Sequence, residues 1–294
     1  MKKSYVSFVA LLLVATLATS CFRARVTTRR TTQEQPATVE TKQEPAVREV
    51  RRTQTTDRFD IPAPLLDRAE KILVRKAYTA SYNDDMRIPN WVAWELTREH
   101  ATGKVKRPNR VFHEDYDVSA PRATYSDYRD CGWSKGHMCP AGDNKWDSEA
   151  MYDTFLLTNI CPQDYTLNSG YWNSVEMRCR HWAERYGSVL IVCGPILEGD
   201  RHETIGDNHI VVPEAFFKVV VCLEGEPKGI GFICPNTDEN LNNEKCVKSI
   251  SEVESITGIK FFPHLDSKTA EKVKNKADWN AWRRKFNVIS SYSR

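Results

Sequence analysis

From about Phe59 onward, short apolar and β-branched runs alternate with polar segments that carry Gly and Pro. Six runs read as strands: Ala77–Tyr82, Val92–Thr97, Thr154–Ile160, Ser188–Cys193, Phe216–Leu223 and Gly229–Ile233. Several are bounded by chain-turning residues, as at Gly194-Pro195 and between Gly225 and Pro227. Helical spacing instead marks Pro64–Val74, Ser169–Tyr186, Ser249–Thr257 and Thr269–Phe286. Pro64 suits a first helical position, where its missing N–H would be unpaired in any case. In the Ser169–Tyr186 segment, Tyr171, Val175, Cys179 and Trp182 fall at i, i+4, i+8 and i+11 and make one apolar stripe. Trp172 and Glu176 lie beside it, and Asn168 stands at its leading edge, where Asn commonly caps a first turn. Strands and helices follow one another without a regular βαβ rhythm. The pattern predicts one α+β domain over residues 59–294, with a largely antiparallel central sheet flanked by helices.

The first 58 residues break this pattern. Lys2 and Lys3 precede an apolar run from Tyr5 to Leu17 that is too short to span a bilayer and ends in small residues before Cys21. Residues 1–20 therefore read as a secretory signal. Ala18-Thr19-Ser20-Cys21 resembles a bacterial lipoprotein cleavage box, with Ala18 where Leu is usual, so lipidation of Cys21 and ordinary cleavage near Ser20 both stand. The expected location is that of an exported protein: a bacterial outer-membrane lipoprotein, periplasmic or at the cell surface, touching the membrane only through a lipid on Cys21. Residues 21–58 are rich in Thr, Gln, Glu and Arg, include Pro36 and Pro45, and are almost free of aromatics. They bury too little apolar surface to offset ordering entropy and read as a tether.

Charge changes the picture less than its total promises. Of 42 basic and 39 acidic residues, the leader and tether hold 11 and 5, which leaves 31 against 34. The net +3 of the chain belongs to its N-terminal segments, and the folded part is slightly acidic. Net charge therefore gives no support for nucleic-acid binding, and any such case must come from a site. Setting Cys21 aside leaves eight of the nine cysteines: Cys131, Cys139, Cys161, Cys179, Cys193, Cys222, Cys234 and Cys246. An even number in an exported chain predicts two or three disulfides, with the pairing open and the remainder as buried thiols. None has the close Cys-x-x-Cys spacing of a structural zinc site.

Candidate chemistry is concentrated in one stretch. Asp130-Cys131-Gly132-Trp133-Ser134-Lys135-Gly136-His137-Met138-Cys139-Pro140-Ala141-Gly142-Asp143 is followed by Thr154-Phe155, then Thr158-Asn159-Ile160-Cys161-Pro162-Gln163. Leu167-Asn168 and Trp172-Asn173-Ser174-Val175-Glu176 complete it, with nine positions from Asn159 to Asn168 and eight from there to Glu176. Singly, these residues have ordinary readings: a structural His at a strand end, a turn-forming or capping Asn, a solvated helix Glu. In this order they resemble the DNA/RNA non-specific endonuclease family, the sugar-non-specific branch of the ββα-metal nucleases. That signature runs Asp-Arg-Gly-His, Pro-Ala, Thr-Phe, Asn-x-x-Pro-Gln, Leu-Asn and Trp-x-x-x-Glu. The likeness extends to Pro89–Leu96, to Gly194-Pro195 with Val212-Pro213 and Phe216–Val219, and to Glu252–Phe262, so it covers roughly residues 75 to 263.

The resemblance implies a ββα-metal nuclease fold and an endonuclease that hydrolyses phosphodiester bonds of DNA and RNA with little sequence preference. Its cofactor would be Mg²⁺, with Mn²⁺ as a substitute. It casts His137 as the general base that takes a proton from the attacking water, a task suited to imidazole near neutral pH. Asn168 is implied as the protein ligand of the metal, since Mg²⁺ takes oxygen donors and keeps most of its waters. Glu176, two turns along the helix, would orient a metal-bound water, and Asn159 would shape the site, with a turn-forming role equally open. Two positions depart from the family or leave it ambiguous. Lys135 stands where the family has Arg, which keeps the positive charge but loses the bidentate guanidinium fork. The Arg that stabilises the transition state has two candidates, Arg107 with the better spacing and Arg110. Recognition through phosphate and metal rather than base edges implies low sequence specificity. A phosphodiesterase acting on small nucleotides remains an alternative, as does a surface lipoprotein that binds nucleic acid with weakened catalysis. The sequence leaves the oligomeric state open.

Overall fold

The computed structural model describes residues 58–109 and 112–283. The expected signal, Cys21 and the tether up to Asp57 lie outside the described residues, as do Arg110 and Phe286. The tether's last residue, Arg58, is already part of the fold, because its guanidinium donates to both carboxylate oxygens of buried Asp60 at 2.7 and 2.5 Å.

In chain order the strands are β1 (Lys71–Val74), β2 (Thr79–Asn83), β3 (Ile88–Thr97), β4 (Ser134–His137), β5 (Ile160–Gln163) and β6 (Ser188–Ile196). They continue as β7 (Thr204–Ile205), β8 (Ile210–Val211), β9 (Ala215–Cys222), β10 (Lys228–Pro235) and β11 (Val247–Lys248). The helices are α1 (Arg98–Thr102), α2 (Ser148–Asp153), α3 (Tyr165–Leu167), α4 (Asn173–Tyr186), α5 (Asn243–Cys246), α6 (Ile250–Thr257), α7 (Ser267–Lys274) and α8 (Trp279–Arg283). Seven strands pair antiparallel in the order β1-β2-β3-β6-β9-β10-β11, while β4-β5 and β7-β8 form separate two-stranded ribbons.

The centre of the sheet explains the layering. All eight residues of β9 are buried, as in a strand covered on both faces. Its alternate residues enter opposite cores. Phe216, Val220 and Cys222 pack in one core with Val175, Cys179 and Trp182 of α4. Phe217, Val219 and Val221 pack in another with Ile250 and Val253 of α6 and Val273 of α7. The result is three layers, with the sheet between α4 on one face and α6 with α7 on the other. Ser249 and Glu252 close a capping box at the start of α6, and Gly258 (φ 73°) ends it in the left-handed conformation that glycine adopts freely.

Four expected elements differ from the structure, each for a local reason. Pro64–Val74 is not a helix: Leu66 is 97% exposed, and only Lys71–Val74 is regular, as an edge strand paired with β2. Thr154–Ile160 is not a strand. Thr154 donates its hydroxyl to Met151 O (2.7 Å) at the end of α2, and the strand begins only at Ile160. The run is apolar because a compact turn buries it, and a short apolar run does not distinguish that from a strand. The helix through Tyr186 starts at Asn173 rather than Ser169, after a turn kinked at Gly170 (φ −98°, ψ −107°). The N-terminal cap belongs to Asp164, whose carboxylate accepts from Thr166 N and Leu167 N, while Asn168 has helical dihedrals and closes α3 instead of opening a helix. Within Thr269–Phe286, the described residues form two helices, since Asn275 closes α7 and Asp278 accepts from Ala281 N at 3.0 Å to open α8.

The expected disulfides are not formed among the described residues. All eight cysteines are free thiols, and all but Cys131 are buried. They sit at core-facing positions, where a thiol packs as a small apolar group. Burial pushes Cys179 up to about 12 and Cys193 up to about 11, so they stay protonated at neutral pH.

Candidate active site

The β4-β5 ribbon positions the first half of the site. Its register sets Lys135 opposite Pro162 and His137 opposite Ile160, so the two side chains, two residues apart, share a face. Between them, Gly136 lies against Gln163, whose Cβ is 2.6 Å from where a Cβ on residue 136 would stand. The His137 ring meets Phe155 edge-on at 5.1 Å and Phe112 at 5.3 Å. Burial, reinforced by the charge of Arg107, pushes its pKa down to about 3, so the imidazole is neutral at physiological pH. Its Nε2 finds no hydrogen-bond partner among the described residues.

The second half comes from the turn before α4 and from α4 itself. Asn168 Nδ2 donates to Ser134 Oγ at 2.9 Å, and that hydroxyl donates on to Gln163 O at 2.7 Å. This relay ties the turn to the ribbon and fixes which way the amide faces, leaving Asn168 Oδ1 without a hydrogen bond among the described residues. Burial raises Glu176 to about 7, with Asp143 adding to the rise and Lys218, Arg180 and Arg107 opposing it.

Around Glu176 stands a buried charge cluster. Arg180 Nη1 is 2.8 Å from Asp143 Oδ1 and 4.0 Å from Glu176 Oε2, while Trp94 Nε1 donates to Asp143 Oδ2 at 3.2 Å. Lys218 is 1% exposed, with Nζ 4.5 Å from the ring centre of Trp172 and 5.1 Å from that of Trp94. Sequence reasoning missed Asp143, Arg180 and Lys218 as members of the site. A signal was there: Arg180 is four residues after Glu176, and Lys218 interrupts an eight-residue apolar strand.

A cleft of about 360 Å³ brings together Arg107, Lys135, His137, Asn168, Glu176 and Arg180. Arg107 is exposed at its rim, its guanidinium carbon 5.0 Å from the Phe155 ring centre. Lys135 Nζ sits among three aromatic rings, 4.8 Å from Tyr125, 5.3 Å from Tyr128 and 5.7 Å from Phe112, and partial burial lowers its pKa. Asn159 does not line the cleft. Its Oδ1 accepts from Cys139 N (2.9 Å) and its Nδ2 donates to Cys139 O (2.9 Å) and Thr154 O (2.8 Å), which pins the chain just after His137. Arg110 lies outside the described residues.

The chain is 35% identical to the human mitochondrial nuclease EXOG over 206 residues, 64% of this chain and 56% of that protein. It spans between 56% and 60% of the length of the EXOG relatives it matches. A nuclease of Nostoc sp. is 30% identical over 220 residues, 70% of this chain and 78% of its own. Among solved structures, a chain of the EndoG/EndoGI complex superposes with a TM-score of 0.65 at 26% identity, covering 73% of this chain and 94% of that one. This bears out the expected α+β, ββα-metal nuclease fold with its largely antiparallel central sheet. The expected location is corrected by the same relatives. The EXOG and endonuclease G matches are mitochondrial nucleases of animals, at higher identity than the bacterial one, and not outer-membrane lipoproteins. A family model described as DNA/RNA non-specific endonuclease matches residues 57–268, and the chain, with the spaced His137, Asn168 and Glu176 at its cleft, belongs to that family.

Proposed function

We propose that residues 59–294 form a Mg²⁺-dependent endonuclease, with Mn²⁺ as a substitute, that hydrolyses phosphodiester bonds of DNA and RNA with little sequence preference. The observation that carries this reading is the convergence of His137, Asn168 and Glu176, from a strand, a turn and a helix, on one cleft with cations at its rim. A neutral imidazole with an unpartnered nitrogen is a ready proton acceptor for the attacking water. Its low pKa is that of the protein by itself; a phosphate anion bound beside it favours the protonated form and raises its basicity when substrate is in place.

The donors fit a hard cation. Asn168 offers an unengaged amide oxygen, and the Glu176 side chain, 13% exposed, offers carboxylate oxygens. Bound there, Mg²⁺ supplies charge stabilisation to the phosphate and to the leaving oxygen. Asn168 would hold the ion, with Glu176 orienting its water. Arg107 would meet the charge that develops on the phosphorus centre, and Lys135 a substrate phosphate. Asn159 acts at one remove, by fixing the backbone that carries His137. An enclosed pocket would favour small nucleotides; here Arg107 and Ser169 are exposed where they line the cleft, which favours a polymer. The test is cleavage of plasmid DNA and of RNA by the purified protein with Mg²⁺. Chelator or His137→Ala should abolish both activities, and full activity in the His137→Ala protein would sink the mechanism.

A further inference from the structure

A second concave surface, of about 450 Å³, lies round α4 from the cleft. It is lined by Arg178, His181 and Arg185 of α4, Trp279 and Trp282 of α8, and Asn243 of α5. The three basic residues recur at i, i+3 and i+7 and therefore share one face of the helix. Among the described residues, no carboxylate lines the groove. The Arg178 guanidinium lies over the Trp279 ring, 5.1 Å from its centre, and Arg178 Nη1 is buried without a hydrogen-bond partner among the described residues. His181 is exposed. Trp279 is half-buried and braced edge-on by Trp182 at 6.2 Å and Phe232 at 6.4 Å, so it is a rigid platform.

The cleft-facing row of the same helix, Asn173, Glu176 and Arg180, has the same spacing. At 100° per residue the two rows stand roughly 140° apart round the helix axis. On a cylinder about 10–12 Å across, that is about 14 Å of arc, a distance that a few nucleotides span. The crest between them carries Met177, 52% exposed, and, two turns further on, the exposed Glu184. We propose that this groove is an exosite for the single-stranded flank of a nucleic-acid substrate. Backbone phosphates lie along the Arg178–His181–Arg185 row, and a base adds to the Arg178–Trp279 stack. The proposal rests on the nuclease reading above and extends it from the scissile bond to the strand beside it.

The test compares substrate lengths. Arg178→Ala and His181→Glu, made singly, are assayed on a fluorogenic dinucleotide that fills only the cleft and on a single strand of about 30 nucleotides, long enough to reach the groove. Each variant should raise KM about tenfold on the long strand and leave dinucleotide kinetics unchanged. Binding of the same strand, read by fluorescence anisotropy in chelator, should weaken in parallel. The slope of log affinity against log salt should become shallower by about 0.7 for each phosphate that the variant no longer neutralises. Because His181 is exposed, its variant separates a binding defect from a folding one. Equal losses on both lengths, or unchanged strand binding in both variants, would overturn the exosite. A wild-type protein that binds the strand yet cleaves neither substrate would overturn the nuclease reading instead.

Discussion

Replacing Glu176 with Gln should stabilise the metal-free protein while disabling it. Burial raises the pKa of this carboxyl from 4.5 to about 7, against the opposing charges of Lys218, Arg180 and Arg107. A carboxyl with a higher pKa folded than unfolded favours the folded state at low pH and costs stability as pH rises from 4.5 to about 7. Above that window the full cost is on the order of 3 kcal/mol, at 1.36 kcal/mol for each pH unit of displacement. Glu176→Gln removes the titration. In urea unfolding with chelator present, the variant's advantage over wild type should therefore grow by about 2.5 kcal/mol between pH 5 and pH 8.5. The growth with pH is the diagnostic, because any difference in packing between Gln and a protonated Glu is the same at both pH values. Adding Mg²⁺ should close part of the gap at pH 8.5, since only wild type gains the carboxylate–cation interaction. A gap independent of pH would refute the claim that Glu176 is held against its own ionisation.

Asn159→Ala should cost about 3–5 kcal/mol, because it strands Cys139 N, Cys139 O and Thr154 O in a buried site; calorimetry would read this as a large fall in Tm, and a wild-type Tm would show that the three hydrogen bonds are dispensable. Gly136→Ala forces a methyl group onto the buried Gln163 side chain and should cost about 1–3 kcal/mol; denaturant titration checks it, and an unchanged midpoint would mean that Gln163 yields without strain.

The central strands and α4 are legible in the sequence because length and periodicity mark them: β6, β9 and β10 are eight or nine residues long and rich in β-branched or aromatic side chains. The ribbon that carries His137 is not. Its strand reads Ser-Lys-Gly-His, four residues with no apolar side chain, and pairing rather than composition makes it a strand. The site residues are recognisable through their order in the chain, and His137, Lys135, Asn168, Glu176 and Arg107 do converge on one cleft. Asn159, which its motif leaves open between shaping the site and forming a turn, bonds the backbone of Cys139 and does not line the cleft. The charge cluster escapes a linear reading because its members lie on separate elements, with Asp143 and Lys218 75 positions apart in sequence, and only the packing of α4 on the sheet brings their charges together. The cysteine count misleads because it is read through an assumed compartment, while the thiols themselves occupy ordinary core positions.

Those thiols also give the protein a built-in clock for its own opening motions. Cys131, the half-exposed one, reacts with an alkylating reagent at the surface rate, while the seven buried ones react only when the chain around them opens. They are distributed over β5, the segment just after β4, α4, the central sheet and α5. Pulsed alkylation read by peptide mass spectrometry therefore times the release of each layer separately, without an introduced label.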